Sequence, residues 1–470
     1  MIYELMIPQY MLLEKKQKIL QQYHEIDVKT ENPELIQIYV EMILSDDIVK
    51  QHFGILAIRK LISANQNQQE IIQAILDFNM IPILIQILEQ YSNQLFIYEA
   101  IWILANIASG TNLQTQVIVK NGVIPNLLKH LDSENLFIVE QVFWALGNIA
   151  ADDAEFRNDI IQQGGLNQLI VISEKLIQEN KIHLLKLSSW TIGNLSRGIL
   201  NQQKIKKCKR QIINYFTYII DKFDEDDTLT DTCWALVYIS NPNSGLDSIQ
   251  EIINTGIVPR LVNLLKRNQT NSITQGCLKI IRNLLTGSES QLDYILNQDI
   301  LIIFGDLLSK LQLKSLIFEV CQCITNITAG NHNQLKKVID NDIIMNLLLS
   351  IFIITTPEIQ IQIACVYSNM LRKIKQYDIL RLVDKGVLMI FGQTLRLQRT
   401  SDLQKIEILK QLDCIFKNAS FEQDYIKILI MDFFKILDNL DVQINDGEED
   451  ENYINCESIY FEEWKNFIKN

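Results

Sequence analysis

The stretch Trp102-Ile-Leu-Ala-Asn106 decides the fold, because its pattern of a Trp followed four positions later by an Asn returns along the chain. The sequence has only five Trp, and four of them begin such a motif. The motif stands at Trp102–Asn106, Trp144–Asn148 and Trp190–Asn194, at Trp234–Tyr238 with Tyr in the Asn position, and without Trp at Lys279–Asn283, Gln322–Asn326 and Cys365–Asn369. Successive motifs lie about 42 to 46 residues apart, so the chain is an array of repeats.

Each repeat also carries its own turn signals. Asn79, Gly122 and Gly256 are each followed three residues later by a Pro, at Pro82, Pro125 and Pro259. Gly suits the left-handed end of a helix and Pro suits a first helical turn. Between these breaks apolar residues recur at helical spacing, and the period lies near the roughly 40 to 47 residues of HEAT and armadillo repeats. We therefore predict an all-α, right-handed armadillo-repeat solenoid, a superhelix of about nine to ten repeats.

The repeats limit how the chain can be divided into domains. With 470 residues the chain could hold three domains, but stacked repeats share one continuous core. We expect an N-terminal segment over residues 1–44, the solenoid over 45–440 and a C-terminal tail over 441–470. The first repeat is expected around Gly54–Ser63 and the last around Lys417. The tail contains the acidic run Glu448–Glu451.

The amino-acid composition limits the chemical class of the binding partner. Lys and Arg number 43 against 56 Asp and Glu, a net charge of −13, whereas a phosphate backbone attracts a surplus of cations. A basic protein or peptide is therefore the expected partner, and nucleic acid is not. The eight Cys form no Cys-x-x-Cys pair and are expected to be reduced, mostly buried thiols. We expect no signal peptide and no membrane insertion. We also expect no metal, cofactor or catalytic site, because no His-x-x-x-His pair or phosphate-binding loop occurs.

The motif residues suit an extended peptide. Positions i and i+4 share one helix face, so stacked motifs form parallel rows of Trp and Asn. An Asn amide both donates to and accepts from a peptide backbone, and neighbouring indoles can form troughs for Lys or Arg side chains. Acidic residues near the rows supply charge partners at Asp152, Asp227 and Asp231. The alternative is that a Trp is simply core, an Asn caps a helix and an Asp is solvated surface.

These motifs resemble the armadillo repeats of importin α, the nuclear import adaptor. The resemblance is carried by residues 98–111, by Glu140-Gln-Val-Phe-Trp-Ala-Leu-Gly-Asn-Ile-Ala150 and by Cys321-Gln-Cys-Ile-Thr-Asn-Ile-Thr-Ala-Gly-Asn331. It runs from about residue 34 to 440. It implies that a concave Trp and Asn surface binds basic nuclear localisation signals, that importin β carries the loaded adaptor through the nuclear pore, and that the protein shuttles between cytoplasm and nucleus.

The resemblance also implies site residues. The main cargo site would comprise Trp102, Asn106, Ser109, Gly110, Thr115, Gln141, Trp144, Asn148, Asp152, Trp190, Asn194, Asp227, Asp231 and Trp234. Within it, Gly110, Thr115 and Asp152 would hold a pivotal lysine. A minor site would comprise Lys279, Asn283, Glu319, Asn326 and Asn369.

Two features depart from the family pattern. The Trp positions of the minor site are Gln322 and Cys365, which cannot form an aromatic trough. Residues 1–50 contain no Arg and only five Lys against nine Asp and Glu, where the family has a basic segment that binds importin β. Only Glu14-Lys-Lys-Gln-Lys18 is similar to the end of such a segment, and it also suits an ordinary amphipathic helix. The acidic tail resembles the family's export-receptor-binding end. The alternative function is an armadillo-repeat scaffold that binds another extended basic partner without importin β.

Overall fold

The structure, a computed structural model, describes residues 34–64, 68–197, 202–244, 248–267, 270–310, 313–374 and 376–418. Within these ranges the regular structure is helical and contains no strand. The chain divides into two compact units, Met1–Glu251 and Ile252–Asn470. The N-terminal residues 1–33, including Glu14–Lys18, and the acidic tail lie outside the described residues.

The first unit is built from thirteen described helices. They are α1 (Glu34–Ile43), α2 (Ile48–Ala64), α3 (Gln68–Asp77), α4 (Met80–Gln90), α5 (Gln94–Ile107), α6 (Asn112–Lys120), α7 (Val123–Lys129), α8 (Leu136–Asp152), α9 (Ala154–Gln162), α10 (Gly165–Gln178), α11 (Ile182–Leu195), α12 (Gln202–Lys222) and α13 (Asp226–Ser240). Short 3-10 turns follow α7 and α13.

The second unit has the same construction. After α14 (Ile249–Asn254), its described helices are α15 (Val258–Lys266), α16 (Asn271–Leu284), α17 (Glu289–Leu296), α18 (Ile300–Ser309), α19 (Lys314–Ala329), α20 (His332–Ile339), α21 (Asp342–Ile354), α22 (Pro357–Lys373), α23 (Gln376–Asp384), α24 (Val387–Leu395) and α25 (Asp402–Asn418).

The repeating element is a group of three helices whose third member is at least as long as the other two, as in α6, α7 and α8. In the first unit the third helices α5, α8, α11 and α13 pack in sequence order, each against the next. In the second unit α16, α19, α22 and α25 do the same. Every Trp and Asn motif lies in a third helix, so the motifs are brought side by side within each unit. Counting α2, the described residues contain nine helices in this position, which confirms the predicted armadillo-type, all-α fold.

The predicted turn signals hold. Gly122 precedes α7 with φ +80° and Asn79 precedes α4 with φ +54°, both in the left-handed region. Glycine enters this region without steric cost, and Asn tolerates it better than most residues. The exception to the three-helix pattern is α12, a continuous helix of 21 residues where other repeats have two. Its segment contains neither Gly nor Pro to break it.

Each unit encloses an apolar core between its helix layers. Phe96, Phe143 and Phe216 are almost fully buried in the first unit, and Phe304 and Phe352 in the second. Four of the described cysteines are also buried, in agreement with the expected core thiols. Among the described helices none is by itself long and apolar enough to cross a membrane, although α3 and α4 reach that length together across a 78° bend.

Phe143 provides a test of this packing. Phe143→Ala removes a ring that has no exposed surface and leaves a cavity between α8 and its neighbours, so we expect the free energy of unfolding to fall by about 3 to 5 kcal/mol. The matched control is Leu113→Ala, which truncates a side chain that is 73% exposed and should change stability by less than about 0.5 kcal/mol. Urea denaturation followed by circular dichroism measures both, and equal shifts would contradict the packing described.

Candidate peptide-binding grooves

The Asn residues of the motif join neighbouring third helices. In four of the motifs the side-chain Nδ2 donates to the backbone carbonyl of the residue just before the Asn position of the preceding motif. The Nδ2–O distances are 2.9 Å from Asn148 to Ala105, 3.3 Å from Asn194 to Gly147, 3.0 Å from Asn326 to Arg282 and 3.1 Å from Asn369 to Thr325. Asn106 donates instead to the Ser63 hydroxyl at 3.1 Å. An amide has two N–H donors and an oxygen, so this bond fixes the side chain and still leaves it a donor and an acceptor.

The first groove runs along α5 and α8, and we call it the α5–α8 groove. It has a volume of about 530 Å³. Its lining consists of Tyr98, Trp102, Ala105, Asn106, Ser109, Phe137, Glu140, Gln141, Trp144 and Asn148. Trp144 is 44% exposed, which is unusual for so large an apolar side chain. The predicted site residues Trp102, Asn106, Ser109, Gln141, Trp144 and Asn148 therefore come together on one surface.

Trp102 is held from two sides. Tyr98 packs edge-on against its ring with 5.5 Å between the ring centroids. The Arg59 guanidinium of α2 lies 4.4 Å from the Trp102 ring centroid in a cation–π contact. Arg59 Nε is in turn 2.9 Å from the carboxylate of Glu99, which has no exposed surface. The chain thus supplies its own cation to one part of the Trp102 ring.

The loop after Asn106 closes one end of the groove. Ser109 is exposed, and its hydroxyl donates to the Asn106 carbonyl at 2.7 Å. Thr115 differs from the expectation, because it is fully buried and its hydroxyl donates to backbone carbonyls, including that of Ala108 at 3.4 Å. Through these bonds to the carbonyls of Ala108 and Thr111 it supports the loop from the buried side. Asp152 is exposed, and its carboxylate accepts from the Asn112 amide at 3.3 Å, so it approaches this loop.

The second groove extends from α8 to α13, and we call it the α8–α13 groove. Its volume is about 430 Å³, and it is lined by Glu140, Trp144, His183, Lys186, Leu187, Trp190, Asp227, Thr230 and Asp231. The expected trough between Trp144 and Trp190 is closed, since their ring centroids are only 5.2 Å apart. An aliphatic chain between two rings needs about 7 to 8 Å, twice a van der Waals contact. Both indoles instead form one wall of the groove.

The charges of the α8–α13 groove are uneven. Lys186 Nζ lies 2.9 Å from Asp227 and 3.0 Å from Glu225, and these hydrogen bonds raise the pKa of Lys186. Burial, together with the negative charge of Asp227, raises the pKa of Asp231 from 3.8 to about 6, against the opposing effect of Lys186. Burial also raises the pKa of Glu140. The groove is therefore acidic near neutral pH and loses charge as the pH falls.

Two predicted residues are placed less openly. Asn194 is only 8% exposed, which limits a ligand's access to its amide. Trp234 is half-buried on α13 and is absent from the lining of both grooves.

The predicted minor site lies in the second unit and is filled by the chain's own charges. The carboxylate of Glu319, which is 3% exposed, is 2.5 Å from Lys279 Nζ and 2.8 Å from Arg282 Nη1. Arg282 also donates to the side-chain oxygen of Gln322 at 2.7 Å. We call these four residues the Glu319 cluster. Cys365 is half-buried, and burial raises the pKa of its thiol. Because Gln322 and Cys365 stand where the family pattern has Trp, neither position offers an aromatic wall.

Sequence reasoning missed several groove residues that share one spacing. Tyr98, Glu140, Lys186 and Thr230 each precede a motif Trp by four residues, and all four line a groove. They lie one turn before the Trp on the same helix face, so the i–4 position could have identified them. Arg59 carries no such signal, because its contact with Trp102 depends on how α2 packs against α5.

The comparisons with known proteins agree with this geometry. The sequence model of the armadillo/β-catenin-like repeat matches residues 111–151 and 247–286. Importin subunit alpha-1b of Oryza sativa subsp. japonica is 33% identical over 262 residues, 56% of this chain and 47% of that protein. Importin subunit alpha-2 of Arabidopsis thaliana is 34% identical over 222 residues, 47% of this chain and 40% of that protein. This chain therefore spans less than half the length of these curated relatives.

Solved structures support the fold. The crystal structure of an engineered protein superposes with a TM-score of 0.76 and 21% identity, over 93% of this chain and 99% of its own. Repeats and fold together define an armadillo-repeat protein. Within that class, the relatives named above, which are 33% and 34% identical over part of this chain, are importin α subunits. Importin α and armadillo-repeat proteins are adaptors and scaffolds without enzymatic activity.

Gly147 tests the wall formed by Trp190. A Cβ added at Gly147 would overlap the Trp190 indole, 2.6 Å from Cε3, so Gly147→Ala should displace the indole and lower stability by about 1 to 3 kcal/mol. The control Gly305→Ala in α18 brings its Cβ 3.6 Å from Ile343, an ordinary contact, and should gain up to about 1 kcal/mol from helix propensity. Tryptophan emission and urea midpoints distinguish the two, and opposite signs are the expected result. A stabilised Gly147→Ala protein with unchanged emission would contradict the described contact.

Proposed function

We propose that the chain is a nuclear import adaptor that binds basic nuclear localisation signals in extended form along the α5–α8 and α8–α13 grooves. The observation that carries this proposal is the combination, on one surface, of exposed Trp144, the Asn106 and Asn148 amides and the carboxylates of Glu140 and Asp231. The named relatives are importin α subunits, which supports the same function.

The groove chemistry favours a lysine-rich peptide. Asn148 is fixed by its bond to Ala105, so its remaining N–H and oxygen are oriented in advance for a peptide backbone, which reduces the entropy cost of binding. The Trp144 face can cover the methylene stem of a Lys, while Glu140 attracts the ammonium. Asp152 and the carbonyls of the Ser109–Gly110 loop offer acceptors to a second ammonium. The spacing of third helices, about 8 to 10 Å, matches roughly three residues of an extended strand.

The link to importin β belongs to the same proposal. It rests on the resemblance to the importin α family and on Glu14–Lys18, which lies outside the described residues. Co-precipitation of the full chain with importin β tests it, with capture expected to increase when basic peptide is present. Peptide binding without importin β capture would favour the scaffold function instead.

The minor site is proposed to contribute little. Glu319 already has two cationic partners, so an incoming basic side chain would have to displace one of them. We propose that a peptide with a second, upstream basic cluster gains little affinity over the single-cluster peptide. The export receptor remains a proposed partner through the C-terminal tail.

Asp152→Lys is the direct test of the main site. Reversing this charge removes an acceptor for the peptide ammonium and adds repulsion, so we expect affinity for a lysine-rich peptide to fall by roughly 10- to 100-fold, since hydrogen bonds to charged groups contribute about 1.5 to 3 kcal/mol. Fluorescence anisotropy with a labelled peptide measures this. The control Asp159→Lys makes the same charge change at an exposed position of α9 away from the grooves. Equal losses in both variants would reduce the effect to net charge alone.

The proposal also predicts a pH dependence. Asp231, with its pKa raised to about 6, is charged above that pH and neutral below it. Its attraction for a basic peptide is therefore present above pH 6 and is lost as the pH falls. We expect affinity to fall about 2- to 5-fold between pH 7.5 and 5.5.

Asp231→Asn tests whether this carboxylate is the titrating group. The variant should bind more weakly at pH 7.5 and lose most of the pH dependence. An unchanged pH profile in Asp231→Asn would remove Asp231 from the binding site.

A further inference from the structure

Two loops, one in each unit, are built alike. Gly110 follows α5 and Gly330 follows α19, and each is followed by a capping box that begins the next helix. In both loops a Gln three positions after the cap closes the box, Gln114 in the first unit and Gln334 in the second. Each of these Gln side chains also donates to a carbonyl of the preceding repeat, at 3.1 and 2.9 Å. The loops are therefore structural equivalents.

The residues that face the two loops from the next repeat have charges opposite to each other. Asp152 follows Asn148 by four residues and approaches the first loop through Asn112. Lys373 follows Asn369 by four residues and reaches the second loop. The two positions are equivalent in the repeat frame, one carrying a carboxylate and the other an ammonium.

Lys373 ends on the carbonyls of the second loop. Its Nζ donates to the Gly330 carbonyl at 2.6 Å and also to the Ala329 carbonyl. These groups follow the last turn of α19, where carbonyls have no partner within the helix and carry the negative end of the helix dipole. Within the described residues, no lysine or arginine makes the corresponding hydrogen bonds to the carbonyls of Ser109 and Gly110.

We propose that the carbonyls of Ala329 and Gly330 form an ammonium-binding site that the chain closes with its own Lys373. Its ligand class is the primary ammonium of a lysine side chain, the same class that the open Gly110 loop takes in the proposed function, on which the choice of peptide probe rests. The Glu319 cluster is saturated in the same way by Lys279 and Arg282. The cation sites of the second unit are thus occupied by the chain's own Lys and Arg side chains. The protein therefore binds a single basic cluster of a peptide, on its first unit.

Lys373→Asp tests this closure with a peptide. The substitution reproduces the charge found at Asp152 and opens the carbonyls to an outside ammonium. Titration calorimetry with the lysine-rich peptide should give one site per chain in the unmodified protein and two in Lys373→Asp. The second site should be about 10- to 100-fold weaker, because the indole contacts are missing. The control Lys410→Asp changes the charge of an exposed lysine on α25 and should retain one site.

Lys373→Ala tests the site without any peptide. We expect its melting temperature to rise by about 1 to 3 °C more in ethylammonium chloride than in tetramethylammonium chloride at the same concentration, because only the first cation can donate hydrogen bonds. The unmodified protein and Lys410→Ala should show a smaller difference, the one due to the open Gly110 loop of the first unit alone.

The two measurements test claims that can fail independently of each other. A selective ethylammonium effect in Lys373→Ala supports the site even if no basic peptide binds the first unit, in which case the proposed function alone fails. Equal effects in all three proteins overturn the site. A folded Lys373→Asp protein that still binds one peptide overturns the claim that Lys373 keeps a cargo lysine out.

Discussion

The hydrogen bond from a motif Asn to the preceding third helix organises both the packing of the repeats and the proposed peptide recognition. It recurs from Asn148 to Ala105, from Asn326 to Arg282 and from Asn369 to Thr325. One such bond contributes only about 1 kcal/mol to stability. Its larger effect is geometric, since it fixes the side chain that stands one turn from the Trp on the same helix face. The proposed peptide-binding surface therefore follows from the way the repeats stack.

The two units place different charges on the same scaffold. In the first, Glu140 and Asp231 face grooves in which only part of the negative charge is matched, by Lys186. In the second, Glu319 is surrounded by Lys279 and Arg282. Unmatched carboxylates attract a basic partner, whereas a buried carboxylate with two cations at contact distance is already neutralised. Charge placement, more than repeat architecture, distinguishes the units.

The sequence predicts the fold well because the repeat period and the Trp and Asn motif recur along the whole array of repeats. The third helices, the left-handed residues Asn79 and Gly122, and the gathering of Trp102, Trp144, Asn106 and Asn148 all follow from spacing. The fused helix α12 could also be inferred, because residues 202–222 lack Gly and Pro.

Other features depend on contacts that spacing does not encode. Trp190 meets Trp144 because Gly147 has no Cβ to keep the indole away. Arg59 reaches Trp102 from a helix 43 residues earlier in the chain. Thr115 is buried, and its hydroxyl donates to the carbonyls of Ala108 and Thr111 instead of facing a ligand. Each outcome is set by the packing of particular side chains between helices, which a residue pattern on one helix cannot predict.

The most direct measurement is a crystal structure of the chain with a lysine-rich peptide. The account predicts an extended peptide along α5, α8 and α11, with its backbone hydrogen-bonded to Asn106 and Asn148. One lysine Nζ should lie within hydrogen-bonding distance of both Asp152 and the Gly110 carbonyl. A peptide bound mainly to the second unit, or one that leaves Asn148 and Asp152 without contacts, would contradict it.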